Sequence, residues 1–122
     1  MFKKMFANCL LVNDFNKSLS FYRDTLGLEV NSTEGKFANF KVENIELAIM
    51  EKSAAKEMFS EKYIGGNGSV LLCFQVDDVE TSAKELQDKG VIFISGPKVT
   101  SWGQTVAYFQ DPDNNIWEIS KK

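Results

Sequence analysis

The segment LVNDFNKSLSFYRDTLGLEV (residues 11–30) decides the fold once it is set beside FQVDDVETSAKELQDKGVIF (residues 74–93). With Val12 aligned on Val76, an offset of 64 residues brings Asp14 to Asp78, Ser18 to Ser82 and Asp24 to Asp88; upstream, Cys9 meets Cys73. The physical pattern repeats along with the identities. Phe15, Leu19, Tyr22 and Leu26 recur at i, i+4, i+7 and i+11, one stripe of an amphipathic helix, and Val79, Ala83 and Leu86 repeat that spacing. Asp14 and Asp78 stand where a short acidic side chain accepts from the free N–H groups of a first helical turn. Gly27 and Gly90 stand where each helix should end.

Strand-like runs flank both helices. Met5 to Val12 and Val70 to Val76 precede them; Leu28–Ser32, Lys36–Val42 and Ile45–Met50 follow the first, and Val91–Ile94, Gln104–Gln110 and Ile116–Ser120 the second. Glu34-Gly35, Glu43-Asn44, Gly96-Pro97 and DPDNN (111–115) read as the turns between them. Each half is therefore predicted to run strand–helix–strand–strand–strand, an α+β chain of two βαβββ modules. The expected organisation is a single domain, 1–122, with modules at about 1–52 and 68–122. Residues 53–67 join them, with a short helix within 53–63 and a flexible joint at GGNGS (65–69).

A duplicated βαβββ unit of this length resembles the vicinal oxygen chelate superfamily of glyoxalase I, extradiol dioxygenases, fosfomycin-resistance enzymes and bleomycin-resistance proteins. The stretches that carry the resemblance are V-N-D-F-x-K-S-x-x-F-Y-x-x-x-L-G (Val12 to Gly27) and A-Y-F-x-D-P-D-x-N-x-x-E (Ala107 to Glu118). The resemblance implies curled mixed sheets around a cleft, one sheet face lining it and the other packed on helices. In metal-dependent members it also implies a divalent ion held by one residue on the first strand and one on the last strand of each module, typically His or Gln with Glu.

Carried onto this chain, the last-strand position of the second module is Glu118, seven residues beyond Asp111. In the first module the matching carboxylate is taken as Glu46, with the short turn at Glu43-Asn44 leaving the register open by a residue or two. The first-strand positions are Ala7 and Leu71, neither of which can bind a metal. Glu46 and Glu118 with water, and oxygens from Asn39, Gln75 or Tyr108, remain a conceivable Mg²⁺ or Ca²⁺ site; the expectation is that no cofactor is needed. Tyr108 matches a cleft tyrosine that assists catalysis in extradiol dioxygenases and is read here as a ligand-stacking or hydrogen-bonding group. By strand alternation Glu118 shares a face with Asn114 and Ile116, while Trp117, Ile119 and Phe109 pack toward the helix.

Cys9 and Cys73, two residues past Ala7 and Leu71, share the cleft face and are read as buried small hydrophobes. Trp102, in the loop VTSWGQT, is either a stacking surface or a cap on the core. Phe37, Met50 and Met58 are candidates for an apolar wall, with core packing the alternative; Lys3-Lys4 and Lys121-Lys122 are solvated ends.

Composition narrows the chemistry. Among 122 residues there is no histidine, so imidazole acid–base catalysis, imidazole metal ligation and histidine-activated nucleophiles are excluded from this chain. A net charge of −3 with interspersed signs gives no basic face for nucleic acid or an anionic membrane. No apolar run approaches the roughly 18 residues needed to span a bilayer. MFKKMFANCLLV lacks a small-residue cleavage site, and its apolar stretch is broken by Asn8, so it reads as a strand rather than a secretion signal. With two cysteines, the expected compartment is the cytoplasm. The expected function is metal-independent binding of a small organic molecule, planar or cationic, at Glu46, Glu118, Tyr108, Trp102, Cys73, Leu71, Gln75 and Asn39, in a homodimer. A metal-dependent lyase, isomerase or dioxygenase with a divergent metal site is the alternative, and a vestigial cleft serving protein association a third reading.

Overall fold

The computed structural model describes residues 1, 3, 5, 7–56, 60–68 and 70–121. Lys4, Met58 and Lys122, and parts of the 53–63 and 65–69 segments, lie outside the described residues. Two compact units divide the chain, 1–66 and 67–122.

In the first unit, β1 (Ala7–Val12) leads into α1 (Phe15–Ser20) and a π-helical turn (Phe21–Thr25), then β2 (Val30–Glu34), β3 (Phe37–Phe40), β4 (Glu46–Glu51), α2 (Lys52–Ala55) and α3 (Glu61–Ile64). The second unit repeats the plan: β5 (Leu71–Gln75), α4 (Val79–Asp88), β6 (Phe93–Val99), β7 (Thr105–Gln110) and β8 (Ile116–Ser120). Each forms a mixed four-stranded sheet, in the orders β1-β4-β3-β2 and β5-β8-β7-β6. In both, the first strand runs parallel to the last and the remaining pairs are antiparallel. The duplicated α+β architecture is therefore present. Among the described residues, no helix is long and apolar enough to cross a membrane.

The capping expectation holds in both units. Asp14 accepts from Lys17 N at 3.0 Å and Asp78 from Thr81 N at 2.9 Å. The chain then leaves each helix through a left-handed glycine, Gly27 (φ 73°) and Gly90 (φ 93°). The first helical stripe differs from expectation. At the π turn Leu26 N donates to Phe21 O, five residues back, and this extra residue per turn rotates the face. Phe15, Ser18 and Tyr22 are buried in place of a straight Phe15–Leu19–Tyr22–Leu26 line, and Leu19 and Leu26 are half-buried. Tyr22, fully buried, packs its ring 5.8 Å from that of Phe40.

Gly96-Pro97 corrects the turn assignment. Strand β6 runs straight through it as an irregularity between Ser95 and Lys98. Gly96 has φ 85° there, and a Cβ would lie 2.5 Å from Val106 O, so only glycine fits against the neighbouring strand.

The DPDNN turn folds around one buried carboxylate. Asp111 Oδ1 accepts from Asp113 N (2.9 Å) and Asn115 N (2.8 Å), and Oδ2 accepts from Asn115 Nδ2 (3.0 Å). Asn114 adopts φ 67°, and the chain enters β8 in fixed register. Trp117 and Ile119 then point to the helix side, buried with Phe109, and the Trp117 ring stacks on Phe74 at 4.6 Å. The alternate residues, Ile116 and Glu118, lie on the other face.

Candidate functional site

The strand registers put one row of four side chains across the face of each sheet that is turned away from its helix. In the second unit Cys73 sits opposite Glu118, Glu118 opposite Tyr108, and Tyr108 opposite Ser95. In the first, Cys9 sits opposite Ala48, Ala48 opposite Asn39, and Asn39 opposite Ser32. The two rows occupy equivalent places. Even the β-bulge recurs, between Val30 and Ser32 and between Phe93 and Ser95.

Glu118 is the hub of the second row. Its carboxylate stands between the other two in register and acts on both the Tyr108 phenol and the Cys73 thiol. The polar interaction with Glu118 first, then burial and the carboxylate's charge, raises the Tyr108 pKa above that of an ordinary phenol. Burial first, and then Glu118, raises that of Cys73. A thiol held in its neutral form is a weak nucleophile. Lys98 Nζ lies 5.8 Å from the Tyr108 ring centroid, within cation–π range. Leu71 and Gln75, two residues either side of Cys73, share its face, and Leu71 is 55% exposed.

In the first row the carboxylate has moved. Glu46 pairs with Ala7, whereas Glu118 pairs with Cys73, so the register counterpart of Glu118 is Ala48 and not Glu46. Glu46 stands one pleat earlier on the same face. Ser32 Oγ donates to Asn39 Oδ1 at 2.7 Å, and Asn39 Nδ2 donates to Glu46 Oε1 at 2.6 Å. Burial, followed by the charge of Glu46, raises the Cys9 pKa. Both cysteines are exposed free thiols only partly desolvated by their neighbours, which corrects their reading as buried hydrophobes: they are on the face that carries no helix. Phe37 and Met50 are paired neighbours and half-buried.

Of the residues singled out in the sequence, Cys73, Glu118 and Tyr108 come together with Leu71 and Gln75, and Asn39 comes together with Glu46. Trp102 does not join either group. It lies 72% exposed in the loop before β7, with its indole N–H donated to Gln104 Oε1 at 3.1 Å. Ser32, Ser95 and Lys98 went unseen in the sequence. The bulges break the alternation that would have placed the two serines, and reading Gly96-Pro97 as a turn took Lys98 out of the sheet.

A divalent ion of the kind the resemblance implies does not fit these residues. Ala7 and Leu71 offer no donor side chain, and the position equivalent to Glu118 is Ala48. Among the described residues no three His, Cys, Asp or Glu side chains gather as a metal-holding group.

Residues 5–122 match the family model of the glyoxalase-like domain. The chain is 35% identical over 119 residues to the uncharacterised protein YraH of Bacillus subtilis strain 168, covering 92% of this chain and 93% of that protein. It is 29% identical over 114 residues to a probable lactoylglutathione lyase of Synechocystis, covering 88% and 87%. Among solved structures it superposes with a TM-score of 0.79 on TnmS3, an antibiotic-binding protein from Streptomyces sp. CB03234, at 24% identity and covering 98% of this chain and 96% of that one. The family match over nearly the whole chain, two βαβββ units and the motifs at Val12–Gly27 and Ala107–Glu118 lead to one assignment: this chain belongs to the glyoxalase-like family of the vicinal oxygen chelate superfamily.

Proposed function

We propose that this protein binds a small organic molecule without a metal ion, in the manner of the bleomycin-resistance members of its superfamily. The observation that carries the reading is the Cys73–Glu118–Tyr108 row beside Leu71. Where a metal enzyme of this fold needs a nitrogen or oxygen ligand there is an exposed leucine, and the carboxylate stands between a thiol and a phenol. An apolar surface with a few oriented polar groups suits ligand capture. Glu118 meets a cationic or N–H-bearing group of the ligand, Tyr108 and Leu71 its flat or apolar body, and Gln75 adds a polar contact. TnmS3 offers a precedent for a fold of this kind used to hold an antibiotic. Each sheet ends in strands paired on one side only, and a homodimer is the proposed assembly.

Thermal unfolding of the wild type and of Glu118→Gln against planar cationic drugs, with and without EDTA, tests the reading. The expected result is a compound that raises Tm in the wild type, keeps its effect in EDTA and loses it in Glu118→Gln. A second reading, a divergent metal-dependent lyase, has the Synechocystis relative in its favour. About one divalent ion per chain after purification without chelator, lost on changing Glu46 or Glu118, would establish it instead.

A further inference from the structure

The first unit contains an open cavity of about 510 Å³ at the end of its sheet, between β2 and the turn from β3 to β4. Phe40, Val42 and Ile45 supply apolar wall, and Asn31, Glu43 and Glu46 supply polar groups. Its volume is in the range that takes a drug-sized molecule. The charges around it are unbalanced. Among the described residues, two carboxylates, Glu43 and Glu46, line it with one cation, Lys41, whose Nζ lies 3.2 Å from Glu29. Glu46 is also held in place. The Ser32–Asn39–Glu46 chain fixes the carboxylate by a bond to Oε1, so its orientation is set before a ligand arrives.

From this geometry, and given the metal-free binding proposed above on which it rests, we propose that the cavity is a second seat, besides Glu118, for an organic cation. The ligand class is a planar amidinium or guanidinium, or a primary ammonium, on an apolar body. The cation pairs with Glu46, and the body lies on Val42 and Ile45. The displaced carboxylate of the first sheet thereby has a task of its own: two residues away from the place equivalent to Glu118, it faces the cavity instead of completing the Cys9 row. A planar cation with two N–H groups matches a carboxylate bidentately, and a neutral or anionic isostere does not.

The test is a titration of the ¹⁵N-labelled full-length protein with benzamidine, benzamide and benzoate, followed by amide chemical shifts. Benzamidine is expected to move the amides of Asn31 and residues 40–46, with benzamide and benzoate at least tenfold weaker. Glu46→Gln should weaken benzamidine at least tenfold, and Glu80→Gln on α4, which removes the same charge elsewhere, should leave it unchanged. Equal binding of benzamide, or full retention in Glu46→Gln, overturns the proposal. So does a shift map confined to residues 71–75 and 116–120, which would leave metal-free binding standing with Glu118 as its seat and the first cavity empty. A requirement for a divalent ion before any compound binds overturns metal-free binding itself. Should Glu46→Gln fail to fold, the wild-type shift map and the benzamide comparison still decide.

Discussion

Across the first sheet the row reads Ser32, Asn39, Ala48, Cys9; across the second it reads Ser95, Tyr108, Glu118, Cys73. The ends of the two rows are alike and the middles are not. In the second sheet an acid stands between a phenol and a thiol. In the first, an alanine takes the acid's place, an amide takes the phenol's, and the acid reappears one pleat away at Glu46, tied to that amide. A duplicated fold has kept its backbone register while its two faces acquired different chemistry. The turns that deliver the last strands differ in the same way. Asn44 (φ 71°) and Asn114 (φ 67°) occupy corresponding left-handed positions, and in the second unit Asp111 adds three hydrogen bonds around the turn.

The largest expected effect separates the two faces of β8. Trp117→Ala should cost about 3–5 kcal/mol of stability, because it empties a buried site stacked on Phe74. Its neighbour Glu118→Gln should cost less than about 1 kcal/mol, since a half-exposed face residue leaves no cavity. Denaturant unfolding of both variants checks the alternation, and similar losses would break it.

Next is the turn. Asp111→Ala should destabilise by about 2–3 kcal/mol by leaving buried N–H groups without their charged acceptor. It should also disturb the β7–β8 amide signals more than those of β3–β4.

The rows themselves can be set apart by titration. Glu118 raises the pKa of Cys73 and of Tyr108, and Glu46 raises that of Cys9. Removing a negative charge favours the ionised thiol or phenol. Glu118→Gln should therefore shift Cys73 alkylation and Tyr108 ultraviolet titration to lower pH and leave Cys9 as it was. Glu46→Gln should move Cys9 alone. Mass-spectrometric mapping of the alkylated peptides distinguishes the two, and cross-effects would show that the rows are not separate.

The smallest effect is on the acid limb. Hydrogen bonds from Ser53 and the Phe15 N–H, with Lys36, hold the Glu51 pKa below the ordinary glutamate value. Its contribution is thus present above the unfolded-state pKa and lost as pH falls through the lower folded one. In Glu51→Gln the loss of stability on acidification should be shallower than in the wild type, measured as Tm between pH 6 and 3. Asp14→Ala, which removes the α1 cap, should cost about 1 kcal/mol at neutral pH.

Much of this fold was legible from local chemistry. The two caps, the two helix-ending glycines and the alternation in IWEIS are properties of a residue and its near neighbours, so the chain displays them without a partner. The π turn at Phe21–Thr25 was not legible, since a helical stripe read at 3.6 residues per turn gives no sign of an inserted residue. Nor was the passage of β6 through Gly96-Pro97, where the glycine is required by Val106 and Ala107 on the next strand. Of the candidate site, Glu118 and Tyr108 were reached by counting within one continuous motif. Glu46 was reached by counting too, but across a turn of different length, and there the register came out two residues from its counterpart.

The sequence by itself determined that the chain is duplicated and that it has no imidazole, both from residue identity and spacing; that Ala7 and Leu71 stand at the first-strand ligand positions is what the family resemblance implied. The tertiary structure alone decided which side chains share a row, because cross-strand neighbours are set by register and bulges involving residues dozens of positions apart. That is how Glu118 came to stand between a thiol and a phenol, and how Glu46 came to face a cavity of its own.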